Sequence, residues 1–161
     1  MNEYGVWRGK GRVAGRTERE VAAAVGLPLI PPELGEDRGE LEAAAKKTLP
    51  RLLELGEIRG DLQSHTTASD GRDTLAAMAD AAEAMGYEYL AITDHTPAVR
   101  VAGRLDRAGF RRQRVAIERL NRKSRRLTLL AGAEVDILSD GSLDLNDEAL
   151  AALDLVVISL H

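Results

Sequence analysis

Residues 87–95 read YEYLAITDH, a short apolar run that ends in the polar triplet Thr93-Asp94-His95. An uninterrupted run such as LAI suits a strand covered on both faces. Working upstream, Leu75, Met78, Ala82 and Met85 recur at helical spacing. They predict a helix over 74–85, with Asp73 as its N-cap and Gly86 as its stop. Before it, IRGDLQSH (58–65) is another short run that ends in polar residues. Working downstream, Phe110, Ile117 and Leu120 share a stripe and predict a helix over 106–126. LTLLAGAEVDI (127–137) and LDLVVISLH (153–161) read as further strands, with a short helix over 147–153 between them. From Ile58 the order is therefore β-α-β-α-β-α-β. That order predicts an α/β fold built on a parallel sheet or an α/β barrel.

The first third of the chain has a different character. Residues 1–16 are glycine-rich and predict a short strand with turns. Thr17 followed by Glu20 fits a capping box, opening a helix that runs to Val25 and closes at Gly26. LPLIPPELGEDRG (27–39) carries three prolines and two glycines, reads as a linker and forbids a long regular element. A helix over 40–55 is expected after it, kinked or broken at Pro50.

A length of 161 residues suits one domain, or one domain with part of another. The net charge of −4 and the 44% hydrophobic content fit an ordinary globular protein. Aromatics are only 3%, so the core must rely on Leu, Val, Ile and Ala. The chain has no cysteine. Disulfides and thiolate metal sites are thereby excluded, and a reducing cytoplasm is the natural compartment. The opening residues lack the apolar stretch of a signal peptide. No apolar run approaches the ~20 residues of a membrane span, so no membrane partner is expected.

The histidines carry the chemistry. His65, His95 and His161 are the chain's three histidines, and each follows a predicted strand. Glu134 stands at the corresponding point of the remaining strand, after LTLLAGA. Strand ends of an α/β barrel converge on one mouth, where catalytic groups sit. Asp70 adds a carboxylate five residues past His65. Imidazole nitrogen and carboxylate oxygen together suit Zn²⁺ or Mn²⁺. Asp61 and Asp94 are expected to orient a ligating histidine through its other ring nitrogen. Metals held here would lower the pKa of a bound water and stabilise charge on a phosphoryl oxygen. Taken singly, each of these residues reads equally as a cap or a solvated side chain; their common placement is what favours a metal site. Ser64, Ser69 and Ser159 flank the set and suit turn or helix capping. No Walker loop, G-x-S-x-G elbow or cysteine nucleophile is present. Residues 107–126 hold nine Arg or Lys and one Glu. That helix suits a phosphate backbone, or simply a solvated face, since no stacking aromatics accompany it.

The segments GDLQSHTTASDG, AITDH, LAGAEVDILSDGSLDL and LDLVVISLH resemble the PHP (polymerase and histidinol phosphatase) domain. The preceding RTEREVAAAVGLPLIPPELGEDRGELEAA is similar to the thumb end and linker of bacterial family X DNA polymerases. The resemblance implies a distorted (β/α)7 barrel, incomplete here, preceded by a short α+β thumb remnant. Residues 1–35 would be that remnant, 36–57 a linker helix and 58–161 the N-terminal part of the PHP domain. It implies up to three divalent metals, Mn²⁺ or Zn²⁺ with Mg²⁺ as a further candidate. His65, Asp70, His95, Glu134 and His161 match family metal ligands, and Glu134 matches the residue that bridges metals. Catalysis is expected to centre on Glu134, His95 and Asp94. The implied activity is phosphoester hydrolysis at DNA 3′ ends, as a 3′–5′ exonuclease or 3′-phosphatase in DNA repair. Two departures stand out. Gln63 replaces the first histidine of the family's H-x-H, and an amide is a poorer ligand than imidazole. The later family ligands, a His and a D-x-H pair, have no counterpart before the chain stops at His161, so a truncated chain with open sheet edges is expected. A stand-alone phosphatase for a small phosphomonoester, and an inactive scaffold, are the alternatives.

Overall fold

The computed structural model describes residues 2–99, 105–124 and 126–161, in two units divided between Leu53 and Glu54. In the first unit, β1 (Val6–Arg8) and β2 (Gly11–Ala14) form an antiparallel hairpin with Trp7 opposite Arg12. Helix α1 (Glu18–Ala24) starts at Thr17, whose hydroxyl accepts from the Glu20 amide at 3.2 Å. The Glu20 carboxylate reaches back to the amide of Arg16 rather than that of Thr17, so the capping box closes one residue early. The helix ends as expected at Gly26, which takes a positive φ of 75°.

Helix α2 spans only Glu40–Ala45, not the expected 40–55. The stop comes before Pro50. Lys47 adopts a left-handed φ of 59°, and the Thr48 amide bonds back to the Ala43 carbonyl at 2.8 Å. This is a Schellman closure with lysine where glycine is usual.

The second unit follows the expected order. Strands β3 (Gly60–Ser64), β4 (Tyr89–Ile92), β5 (Thr128–Asp136) and β6 (Leu155–Ser159) form one parallel sheet in sequence order. The sheet curls into a partial (β/α) barrel. Helices α3 (Leu75–Ala84), α4 (Arg107–Asn121) and α5 (Asp147–Leu150) lie between successive strands in the chain. Thr74, not Asp73, caps α3, accepting from the Ala77 amide at 3.3 Å. Helix α4 stops at Asn121, short of Arg126, because the Asn121 amide bonds both backbone groups of Leu129 on β5. Arg125 lies outside the described residues.

Alternation along the strands sorts the two faces. Leu90, Ile92, Leu129 and Ala131 join Ala79, Ala82, Ile117 and Leu127 in a buried cluster between sheet and helices. Ala133 and Val135 join Leu105, Phe110 and Leu145 in a second cluster. Burying a side chain such as Ile117 contributes about 1.5–3 kcal/mol. Glu134 and Asp136 alternate with Ala133 and Val135, so both point to the opposite face of β5.

Three of the α4 cations are committed to neighbouring elements. Arg107 and Arg111 pair with Glu148 on α5, and Arg114 holds Asp154 and the Ala152 carbonyl.

Candidate metal centre

All five residues expected as ligands converge. His65 follows β3, and its Nδ1 lies 2.8 Å from Asp70 Oδ1 while its Nε2 lies 3.1 Å from Glu134 Oε2. His95 Nε2 lies 3.6 Å from Asp70 Oδ2, and His161 Nε2 lies 3.6 Å from Glu134 Oε1. The three imidazoles stack edge to face, His65 to His95 at 4.5 Å and His95 to His161 at 5.2 Å between centroids.

Backbone pairing sets this arrangement. Beyond Ile92 the β4 chain stays beside β5, with Glu134 N–H donating to the Asp94 carbonyl and Thr96 N–H to the Glu134 carbonyl. His95 is thereby fixed opposite Glu134. Glu134 sits inside β5, which runs on to Asp136, rather than past the strand's end. On the other side, the turn after β3 curls back on itself. Ser69 and Gly71 amides both donate to the Thr66 carbonyl. A Cβ at Gly71 would stand 2.4 Å from the His65 carbonyl oxygen, so only glycine lets the turn close this tightly. Closure brings Asp70 onto His65.

Two expectations are corrected. Asp94 does not orient a histidine. Its buried carboxylate accepts from the Thr66 amide at 2.8 Å, the Thr66 hydroxyl at 2.7 Å, the Ser69 hydroxyl at 2.6 Å and the Gln113 amide. Four donors fill its lone pairs, so it ties β4 to the His65 turn and to α4. Asp61 instead accepts from the Gln63 amide N–H at 2.9 Å, a local contact within β3. The histidine partner is Asp136, which sequence reasoning missed: its Oδ1 lies 2.6 Å from His161 Nδ1. The spacing Glu134-x-Asp136 on a strand signalled it, since residues two apart share a face. Gln113 was legible too, as a polar residue on the buried stripe of Phe110 and Ile117. Of the three flanking serines, Ser69 serves Asp94, while Ser159 bonds both Glu134 and His161.

Charge follows this geometry. Burial pushes the Glu134 carboxyl up, but hydrogen bonds from Gln63 and Ser159 and the nearby histidines hold it below its usual value. At Asp70 the His65 hydrogen bond and the charges of His65 and His95 likewise outweigh burial and lower it. The Asp136 hydrogen bond raises the His161 imidazole.

The donor set fits divalent metal. Two groups have ligand atoms all within 4.8 Å of one another, His65–Asp70–His95 and His95–Glu134–His161. His95 belongs to both, and its buried Nδ1 has no hydrogen-bond partner among the described residues. A buried polar atom without a partner is costly in a purely structural cluster and suited to an ion.

Comparison with known proteins agrees. Residues 61–161 match the PHP domain. The chain is 43% identical over 145 residues to "DNA polymerase/3'-5' exonuclease PolX" of Bacillus subtilis (strain 168), covering 90% of this chain and 25% of that protein. It is 39% identical over 103 residues to a "Probable phosphatase" of Acetivibrio thermocellus, covering 63% of this chain and 40% of that protein. The chain thus spans a quarter to two-fifths of the relatives it matches. The PHP match covers more than half of the chain, which therefore belongs to the PHP domain family.

Proposed function

We propose that this chain is part of a family X DNA polymerase and contributes a metal-dependent phosphoesterase centre that hydrolyses DNA 3′ ends during repair. The observation that carries this reading is the pair of three-ligand groups joined at His95. When bound there, Mn²⁺ or Zn²⁺ supplies an activated water and neutralises charge on the phosphoryl group. His65, Asp70, His95, Glu134 and His161 hold the ions. Asp136 orients His161, and Asp94 braces the His65 turn. The carboxyls of Asp70 and Glu134, held below their ordinary values by hydrogen bonds and nearby histidines despite burial, are ionised near neutrality and able to ligate. The polymerase match extends upstream of the PHP match, which supports residues 1–35 as the end of a polymerase thumb and 36–57 as a linker. The absence of cysteine fits the reducing cytoplasm as the compartment. Among the described residues no helix is long and apolar enough to cross a membrane.

The test is hydrolysis of a 3′-labelled oligonucleotide with Mn²⁺ by the full-length gene product. Replacing His95 and Glu134 together by alanine is expected to abolish it. Unchanged hydrolysis by the double variant overturns the assignment. The likeness to a probable phosphatase favours a second reading, hydrolysis of a small phosphomonoester. Faster turnover of p-nitrophenyl phosphate than of a 3′-phosphorylated oligonucleotide would select it.

A further inference from the structure

Helix α4 carries its cations on two sides. Arg107, Arg111 and Arg114 face α5, where Glu148 and Asp154 neutralise them. The helix's one acidic residue, Glu118, is on that side too, 3.5 Å from Arg114. Arg112, Arg119 and Arg122 form a second row. They are spaced seven and three residues apart, so they share one face, opposite the buried stripe of Phe110, Gln113 and Ile117. All three are exposed, and among the described residues none has a hydrogen-bond or ion-pair partner. Helical rise puts Arg112 and Arg122 about 15 Å apart along the axis, a span over which one DNA strand carries about four phosphates.

The two ends of this row differ in what explains them. Arg119 and Arg122 close the helix, where the macrodipole favours cations. Arg112 is more than two turns from that end, outside the dipole's reach, and no carboxylate compensates it. It lines a cleft of about 480 Å³ together with Gly109, Gln113, Thr66 and Thr67. Thr66 and Thr67 follow directly on His65, so the cleft runs from the basic row to the turn that carries a metal ligand. Asp106 also lines it, but its carboxylate is engaged by the Gly109 amide at 2.7 Å. Lys123 and Arg126 are set apart, beside Asp80 and Glu83 in a different cavity. With no aromatic on this face to stack a base, the row is suited to backbone charge alone.

We propose that Arg112, Arg119 and Arg122 form a sequence-independent track for the backbone phosphates of the DNA strand whose 3′ end enters the metal centre, with Arg112 the contact nearest the reaction. The inference rests on the reading of that centre as a DNA 3′-end phosphoesterase and adds where the rest of the strand lies.

The test measures binding of the 161-residue chain to a 5′-fluorescein-labelled oligo(dT) by fluorescence anisotropy across a series of salt concentrations. The track variant combines Arg112→Gln, Arg119→Gln and Arg122→Gln. A control combines Arg8→Gln, Arg12→Gln and Arg19→Gln, which removes the same charge from exposed positions of the first unit. Wild-type binding is expected to fall with salt at a slope of about −2 in log K against log salt, from ~0.7 per phosphate contact. The track variant should bind about tenfold more weakly at low salt, the scale of three exposed ion pairs, with most of that slope gone. The control should match the wild type, and a mixed-sequence oligonucleotide should match oligo(dT). In the full-length gene product, Arg112→Gln should raise KM for the 3′-labelled oligonucleotide several-fold and leave hydrolysis of p-nitrophenyl phosphate unchanged. If the wild-type gene product hydrolyses no oligonucleotide, the DNA reading fails and this inference with it. With oligonucleotide hydrolysis intact, the inference alone is overturned by wild-type affinity in the track variant, by an equal loss in the control, or by a wild-type chain that binds no oligonucleotide at low salt. An Arg112→Gln variant with unchanged KM, or one slowed alike on both substrates, also overturns it. So does loss of the wild-type far-UV circular dichroism in the track variant, which would make these arginines folding determinants.

Discussion

His95 is shared by both ligand groups, whereas Asp70 and His161 each belong to one. That asymmetry gives a prediction at the scale of single residues. Asp70→Ala and His161→Ala should each lower metal stoichiometry by about one ion, since each removes one of three ligands, and the double variant should lose both. Elemental mass spectrometry of the purified variants checks this; equal stoichiometry in all of them would contradict it. A second prediction concerns protons. In the metal-free chain the hydrogen bond that His161 donates to Asp136 raises the His161 pKa above its ordinary value. A group raised on folding stabilises the fold fully below its unfolded pKa of ~6.5, and that contribution fades as pH rises through the folded value. Asp136→Asn should move the His161 titration downward, as followed by NMR of the ring protons. An unmoved midpoint would show that Asp136 is not the cause. The convergence of the five candidate positions was legible in part because histidines are few and each follows a predicted strand. Their partners were less so. A carboxylate's role depends on which donors reach it, and adjacency in sequence made Asp94 look like a histidine partner although its four donors come from Thr66, Ser69 and Gln113.

At the scale of elements, Asp94 joins β4, the turn after β3 and helix α4 through one buried carboxylate. Asp94→Ala would leave buried donors on Thr66, Ser69 and Gln113 without an acceptor. A cost of about 3 kcal/mol or more is expected, from penalties of ~1–3 kcal/mol for each unsatisfied group. Urea unfolding measures it, and a loss below about 1 kcal/mol, the scale of an ordinary hydrogen bond, would show the network to be peripheral. Helix α2 offers a change of opposite sign. Lys47 closes it with a left-handed φ that glycine adopts without strain. Lys47→Gly should stabilise the first unit by about 1 kcal/mol, read from thermal melts monitored by circular dichroism; destabilisation would contradict this account of the helix end. The same residue explains why the helix over 40–55 was misjudged. ELEAAA has strong helical propensity, and nothing in a lysine's identity announces a left-handed conformation. Helix α1, by contrast, ends at Gly26, where sequence and structure agree because glycine is the ordinary closer.

For the molecule as a whole, the run of strands and helices from Ile58 was readable because periodicity switches between apolar runs and helical stripes. Parallel strands joined by helices then tend to become neighbours in sequence order, as β3, β4, β5 and β6 do. The curl of that sheet gathers three strand ends and the interior of β5 at one place. What sequence did not fix was depth: Glu134 was placed at a strand terminus, yet β5 outruns β4 and carries Asp136 beyond it. The basic stretch of 107–126 was open between a DNA contact and a solvated face, and Arg107, Arg111 and Arg114 turn out to be tied to Glu148 and Asp154.

The central claim is that His65, Asp70, His95, Glu134 and His161 form one assembled metal centre. Its most direct test is the Mn and Zn content of the purified 161-residue chain, beside a His95→Ala control whose folding is checked by far-UV circular dichroism. Bound metal in the wild type that falls to background in the folded control is the predicted result. A folded wild-type chain that holds no Mn or Zn after exposure to either, or a control that retains as much as the wild type, would contradict the account.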